Sequence, residues 1–246
     1  ELEQIPRIDG CYVRLCGRLI VMIMSFAPLG VFCLIGKFVI ADGLDIFQDV
    51  LAYVVLLIAL LLFHAAFTYS IFLKFIGGLS PLIFYRKMKD VALFAFSTSS
   101  SAATIPVTLK TVNQDLGVNQ NVASFVVPVG ATINMDGTAI MQGLATVFIA
   151  QMSGIDLTLF QYIQVVLLAV ATSIGTAAVP SAGTITLIII LQQFNLPLEA
   201  IGIILAVDRV LDMLRTSVNV TGDAAIACIV AKTENQLDEN IYNSKA

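Results

Sequence analysis

Long stretches of this chain carry no Asp, Glu, Lys or Arg: Leu19 to Gly36, Val50 to Leu73, Val91 to Leu109, Leu116 to Met135, Gly137 to Ile155 and Leu157 to Leu198. Each is about 18 residues or longer, enough as a helix to cross a bilayer core of about 30 Å. Two of them are interrupted by polar residues. Ser97 to Ser101, followed by Thr104-Ile105-Pro106, offers hydroxyls that cap a broken helix and a proline that starts the next. Gly175 to Gly183, with Pro180 and Ser181 inside it, divides the longest stretch near its centre. The pattern predicts two re-entrant hairpins, about 82–114 and 157–195, because irregular backbone survives at membrane depth only where protein buries it or water lines it.

Each hairpin precedes a helix with a polar middle. The first, about 118–152, holds Gly130-Ala131-Thr132-Ile133-Asn134-Met135-Asp136-Gly137-Thr138; the second, about 198–232, holds Asp208 to Asp223. A hairpin followed by a polar helix, occurring twice, is the internal symmetry of an inverted-repeat transporter, which places binding at the midplane. The predicted fold class is therefore an all-α membrane protein of transmembrane helices plus two re-entrant helical hairpins in an inverted repeat. A first span covers Asp9 to Ala41 with a kink at Pro28-Leu29-Gly30.

Composition strengthens this picture. Hydrophobic residues make up 58% and charged residues 12%, with a mean hydropathy of +0.93, whereas soluble domains carry about 25% charged residues. The net charge of -4 includes no basic stripe suited to nucleic acid. Arg86, Lys87 and Lys89 read as the most basic loop and so as cytoplasmic, with the acidic loop Asp42 to Asp49 outside. Cys11, Cys16, Cys33 and Cys228 lack metal-ligand spacing and read as packing residues. The single histidine, His64, reads as a packing or hydrogen-bonded residue ahead of a proton relay. The start at Glu1 suggests that an upstream part has been cut away, and Asn235 to Ala246 reads as a polar tail with little structure.

Charge concentrates where it is least affordable. Asp208, Asp212, Arg215, Asn219 and Asp223 recur at offsets of four, three, four and four, the period of one helical face. A buried carboxylate or guanidinium costs about 2.5–3.5 kcal/mol on insertion scales, so four of them require about 10 kcal/mol of compensation. The stripe faces a site rather than lipid. Arg209 points about a quarter turn away and is left outside it.

The serine run with Thr104-Ile105-Pro106, the block Asn134-Met135-Asp136-Gly137-Thr138, the tip from Ser173 to Gly183 and the stripe Asp208 to Asp223 together resemble the glutamate/aspartate transporter family, the dicarboxylate/amino acid:cation symporters. The resemblance runs through essentially the whole chain and places it as the C-terminal part, from about the fifth transmembrane helix. It implies that residues 1–41 belong to a static scaffold and 42–234 to a moving transport domain. It also implies a multi-pass protein of the plasma (cell inner) membrane, a homotrimer at full length, surrounded by lipid.

The residues suit such a substrate. An acidic amino acid presents two carboxylates and an ammonium. Arg215 offers a bidentate fork for the side-chain carboxylate and Asp212 a partner for the ammonium. Asn219, Ser100, Ser101 and the backbone at Val179 and Gly183 suit the α-carboxylate, with hydroxyls from Thr138 and Thr216 beside them. Asp208, two turns from Arg215, orients it. The resemblance further implies co-transported sodium, a hard cation that takes oxygen ligands. One site is Asp223 with the carbonyls of Gly130, Asn134 and Asn219. A second uses Asp136 and the Asn134 side chain. A third uses the carbonyls of Thr132, Ser173, Ile174 and Thr176, made only when the second hairpin closes.

Two departures from the family pattern stand out. Gln142 occupies a place where proton-coupled members carry glutamate, which favours sodium coupling without proton transport; Ser99 and Met213 stand where many members carry a further arginine. The competing readings are a C4-dicarboxylate or neutral amino acid symporter on the same scaffold, a cation channel lined by Asp136, Asp208, Asp212 and Asp223, and an intramembrane hydrolase. Arg215 argues against a neutral substrate and against a channel. No Gly-x-Ser-x-Gly elbow or credible base accompanies the serines, so the chain does not read as an enzyme.

Overall fold

The computed structural model describes residues 46–244 together with Phe32, Cys33, Gly36 and Ile40. Apart from those four residues, the first span with its Pro28 kink, Cys11, Cys16 and the loop Asp42 to Asp45 lie outside the described residues. Asp49, read as part of that loop, instead sits in the first turn of helix α1 (Ile46–Phe63). The carboxylate there is favoured by the positive end of the helix dipole.

Helix α1 continues through a π-helical turn, His64–Thr68, a short α stretch, Tyr69–Ile71, and a second π turn, Phe72–Ile76. Within Phe47–Ile76 the most apolar 18-residue window has a mean hydropathy of 2.7 and is only 17% buried; among the described residues this helix alone is long and apolar enough to cross a membrane. Tyr53, Leu57 and Leu61, spaced by four, are buried, while Leu51, Val55, Leu62 and Phe63 face outward. An all-round apolar helix with one buried stripe suits lipid on the other faces.

The next elements come as paired helices. Pro81 opens α2 (Pro81–Thr98), and Ser99 closes it in the left-handed region, at φ 51°. Ser100 then caps α3 (Ser101–Gln114) by accepting from the Ala103 N–H, and α2 and α3 pack on each other. The second pair is α6 (Leu159–Ile174), opened by a capping box of Thr158 and Gln161, and α7 (Ala182–Gln193), reached through Ser181 at φ 60°. Between the pairs, the polar helix divides into α4 (Gln120–Ile133) and α5 (Asp136–Met152), with Asn134 and Met135 unwound between them. Helix α8 (Ile201–Thr233) runs unbroken through the charged stripe and touches α1, α2, α3, α4, α5 and α7. Ala224, Ala225, Ala227, Cys228 and Ala231 give its second half a buried small-residue surface, which allows close helix approach.

The structure corrects two expectations at one end of the bundle. Arg86, Lys87 and Lys89 lie within α2 rather than in a loop. Lys87 is buried, its Nζ donating to the carbonyls of Asp115 (2.8 Å), Ile241 (2.7 Å) and Tyr242 (2.9 Å). The segment expected to lack structure folds back: Leu237 bridges Val118, the Asp238 N–H donates to the Gly117 carbonyl, and Asp238 caps α9 (Glu239–Asn243). Tyr242 is fully buried and its hydroxyl donates to the Ser80 carbonyl at 3.0 Å. One buried aromatic and one cation capping orphan carbonyls are enough to order a segment whose composition is otherwise polar.

Candidate functional site

The tips of the two helix pairs meet. Ser100 Oγ donates to the Ala178 carbonyl at 2.8 Å and the Ala102 N–H points at the same oxygen at 3.4 Å. Beneath them, a cavity of about 20 Å³ is lined by Ser99, Ser101, Thr138, Thr176 to Val179, Gly183, Asp212, Arg215, Thr216 and Asn219, with Met135. Eight residues assigned to substrate from sequence (Ser101, Thr138, Val179, Gly183, Asp212, Arg215, Thr216 and Asn219) share this lining. The ninth, Ser100, lies outside it and joins the tips instead. That volume holds about one water, so the walls are nearly in contact.

Arg215 is the centre of the cavity and only 2% exposed. Its guanidinium donates through NH1 to Asp208 Oδ1 at 3.3 Å and through NH2 to Asp212 Oδ1. Asp208, placed two turns away on the same helix, therefore does contact Arg215. The ion pair that the stripe could form as a mere staple is present, and the cavity against it is what a staple would not need. Asp212 Oδ2 accepts the Ser181 N–H at 2.9 Å, which ties the second tip to α8. The tip approaches closely: a Cβ on Gly183 would stand 2.8 Å from Thr138 Cγ2 and 3.7 Å from Arg215 Cζ.

The break between α4 and α5 is held by α8. Asn219 Oδ1 accepts the Gly137 N–H at 2.8 Å, capping the start of α5, and Asn219 Nδ2 reaches Thr138 Oγ1 at 3.4 Å. Asn134 Nδ2 donates to Asp223 Oδ1 at 3.1 Å. Gly130 and Gly222 are glycines for a visible reason. A Cβ on Gly130 would come within 2.6 Å of Asp223 Oδ1, and one on Gly222 within 2.6 Å of the Tyr69 hydroxyl and 2.8 Å of Asn134 Nδ2.

Asp136, in the first turn of α5, accepts from the Tyr69 hydroxyl at 3.1 Å and lies 3.2 Å from His64 Nε2. His64 is thus hydrogen-bonded as the sequence suggested. The residues assigned to a third ion site are spread over two elements that pack together: Thr132 near the end of α4, and Ser173, Ile174 and Thr176 at the end of α6 and just beyond. Ser173 and Thr176 are buried, while Thr132 and Ile174 are exposed. Gln142, fully buried, donates to the Gly183 carbonyl (3.0 Å) and Thr186 Oγ1 (2.7 Å) and accepts from Thr172 Oγ1 (2.8 Å), joining both arms of the second pair to α5.

Sequence reasoning missed Tyr53, Tyr69 and the Ser181 backbone. Tyr69 sits in an apolar run and carries no motif; a backbone N–H carries no residue signature at all. Four buried side-chain atoms have no hydrogen-bond partner among the described residues: Tyr53 OH, Ser99 Oγ, Thr184 Oγ1 and Asp208 Oδ2. Such an orphan costs about 1–3 kcal/mol, more when charged.

Broken helices whose polar breaks converge on one buried guanidinium, in a chain of this hydropathy, define an all-α protein of membrane composition with a charged internal site. The model of the sodium:dicarboxylate symporter family matches residues 13–233. An excitatory amino acid transporter of Caenorhabditis elegans is 40% identical over 215 residues, covering 87% of this chain and 43% of that protein. Excitatory amino acid transporter 1 of Mus musculus is 42% identical over 87% of this chain and 40% of its own length; for excitatory amino acid transporter 2 of Homo sapiens the figures are 41%, 87% and 38%. The chain belongs to the sodium:dicarboxylate symporter family. It spans about two fifths of the length of the curated relatives it matches.

Proposed function

We propose that this chain is the C-terminal part of a secondary-active symporter that moves aspartate or glutamate together with sodium ions across the plasma (cell inner) membrane. The observation that carries this reading is Arg215, buried at the meeting point of two helix-pair tips and an unwound helix, with carboxylates on both sides of its guanidinium. A site built around a fixed cation with a flanking anion suits a zwitterion that carries one extra carboxylate. The names of the relatives, excitatory amino acid transporters, point the same way.

In this reading the substrate's side-chain carboxylate takes the Arg215 donors that Asp212 now occupies, and the freed Asp212 accepts the substrate ammonium. The α-carboxylate lies against Asn219, Ser101 and the tip backbone around Val179 and Gly183. The hydroxyls of Thr138 and Thr216 complete the lining, with Ser100 at the contact between the tips above it. Opening is needed first, because a 20 Å³ cavity does not admit an amino acid. The second pair of helices, about residues 157–195 with its tip around Pro180 to Gly183, is the extracellular gate; both pairs enter the membrane re-entrantly, and each with the polar helix that follows it makes one half of an inverted repeat.

Sodium binds on the other side of the broken helix. Asp223 with the carbonyls of Gly130, Asn134 and Asn219 forms one site, and Asp136 with Asn134 contributes to another. Thr132, Ser173, Ile174 and Thr176 form the third when the gate closes. Because that last site exists only in the closed state, which substrate also favours, ion and substrate raise each other's affinity. Residues 1–41 belong to a static scaffold and 42–234 to the moving unit, in a homotrimeric, multi-pass protein.

The test is uptake of radiolabelled aspartate by the full-length protein in liposomes under a sodium gradient, a proton gradient or none. Sodium-driven uptake is expected, with succinate a poor competitor because it leaves Asp212 without an ammonium. Uptake driven only by protons overturns the ion assignment, and unchanged aspartate affinity in Arg215→Ala overturns the substrate assignment.

A further inference from the structure

Two of the orphaned atoms in the core are complementary. Tyr53 on α1 is 3% exposed, and its hydroxyl, a donor, has no partner among the described residues; Asp208 on α8 is 2% exposed, and its Oδ2, an acceptor, has none among them either. The two helices pack directly against each other. Its ring is held by Phe148 of α5, with centroids 5.1 Å apart. Asp208 meanwhile spends its other oxygen on Arg215 NH1. A buried carboxylate with one unsatisfied oxygen carries a desolvation cost that a donor placed beside it relieves, and the guanidinium it holds depends on where that carboxylate is fixed.

We infer that Tyr53 is a positioning residue for the substrate site: its hydroxyl donates through one bridging water to Asp208 Oδ2, and so fixes the carboxylate that aims Arg215. This rests on the reading of Arg215 as the partner of the substrate's side-chain carboxylate. Tyr53 itself does not touch substrate; it acts through two residues, and its importance lies in where it sits. It links α1, the most apolar helix among the described residues, to the charged centre, so that a displacement of α1 relative to α8 is felt at the guanidinium.

The experiment is a double-mutant cycle in the full-length protein, with Tyr53→Phe, Asp208→Asn and the pair, read as the half-saturating aspartate concentration for uptake at fixed sodium. Tyr53→Phe keeps the ring packed on Phe148 and removes only the hydroxyl. An increase of about tenfold is expected for each single variant, the size of one hydrogen bond to a charged group. The pair is expected to be no worse than the weaker single variant, because both act on the same contact. An unchanged half-saturation in Tyr53→Phe overturns the inference. So do losses that multiply in the pair, which mark a merely structural tyrosine. Arg215→Ala, assayed alongside, separates the two levels. If it loses aspartate affinity while Tyr53→Phe does not, only the Tyr53 role fails; if it too is unchanged, the substrate assignment fails and takes the Tyr53 role with it.

Discussion

Single atoms decide the geometry around Asp223, the residue proposed to hold sodium. Gly130 lets Asp223 come closer to the α4 backbone than any side chain would permit, since a Cβ would stand 2.6 Å from Oδ1. Gly130→Ala is therefore expected to displace the Asp223 carboxylate and break its bond with Asn134, at a cost of about 1–3 kcal/mol for overpacking. The measurement is thermal unfolding with and without sodium: the variant should melt lower and lose most of its sodium-dependent stabilisation. A variant that keeps the full sodium shift would remove Asp223 from the ion site. Gly78, with open space around its Cβ position, is no control because its φ of +62° already disfavours alanine; Gly143, helical and also open, is the better one.

At this scale the sequence was readable wherever residue type and spacing coincide. The period of the stripe from Asp208 to Asp223 led to Arg215, Asp212 and Asn219, which the fold gathers around one cavity. Tyr53 and Tyr69 were not readable, because an aromatic in an apolar run looks like packing until its hydroxyl is located. Lys87 was misread for the opposite reason. Three basic residues in four positions look solvated, yet the middle one projects from the buried face of α2 while Arg86 and Lys89 project outward.

Elements differ in how they accommodate polar residues in an apolar setting. The α4–α5 segment unwinds at Asn134 and Met135, and the freed backbone is capped from outside by Asn219. Helix α8 stays intact because its charges satisfy one another along one face: Arg215 reaches Asp208 two turns back and Asp212 one turn back. Polar composition alone does not distinguish these outcomes, and the sequence predicted a polar helix in both places. The tail is the other element that composition misjudged. Lys87→Met is expected to release residues 236–244 by removing the cation from the carbonyls of Asp115, Ile241 and Tyr242, at a cost of about 1.5–3 kcal/mol. Amide hydrogen exchange should rise in α9 with little change around Arg215. Unchanged protection in α9 would show that Tyr242 alone holds the segment.

For the whole molecule, the proposed transport requires the two tips to separate. The Ala102 N–H and Ser100 Oγ both point at the Ala178 carbonyl, so the backbones of the first and second pairs are within reach of a disulfide, whose Cα atoms stand roughly 4.4–6.8 Å apart. Ala102→Cys with Ala178→Cys should cross-link under mild oxidation, stop uptake and recover it on reduction. Cross-linked protein that still transports would place the gate elsewhere. The two helix pairs were legible from their polar interruptions, because only a break in the helix explains serines and proline there; which helices pack against α8 was not, since apolar runs report length and burial but not neighbours.

The contact of Lys87 with residues 241 and 242 also sets an order of events during synthesis. Lys87 leaves the ribosome about 150 residues before the carbonyls that its ammonium requires. Until they emerge, only the Asp115 carbonyl of its three carbonyl partners is present for the ammonium. The full cap on this cation is thus among the last contacts this end of the bundle can complete, because two of its three carbonyls come from residues 241 and 242.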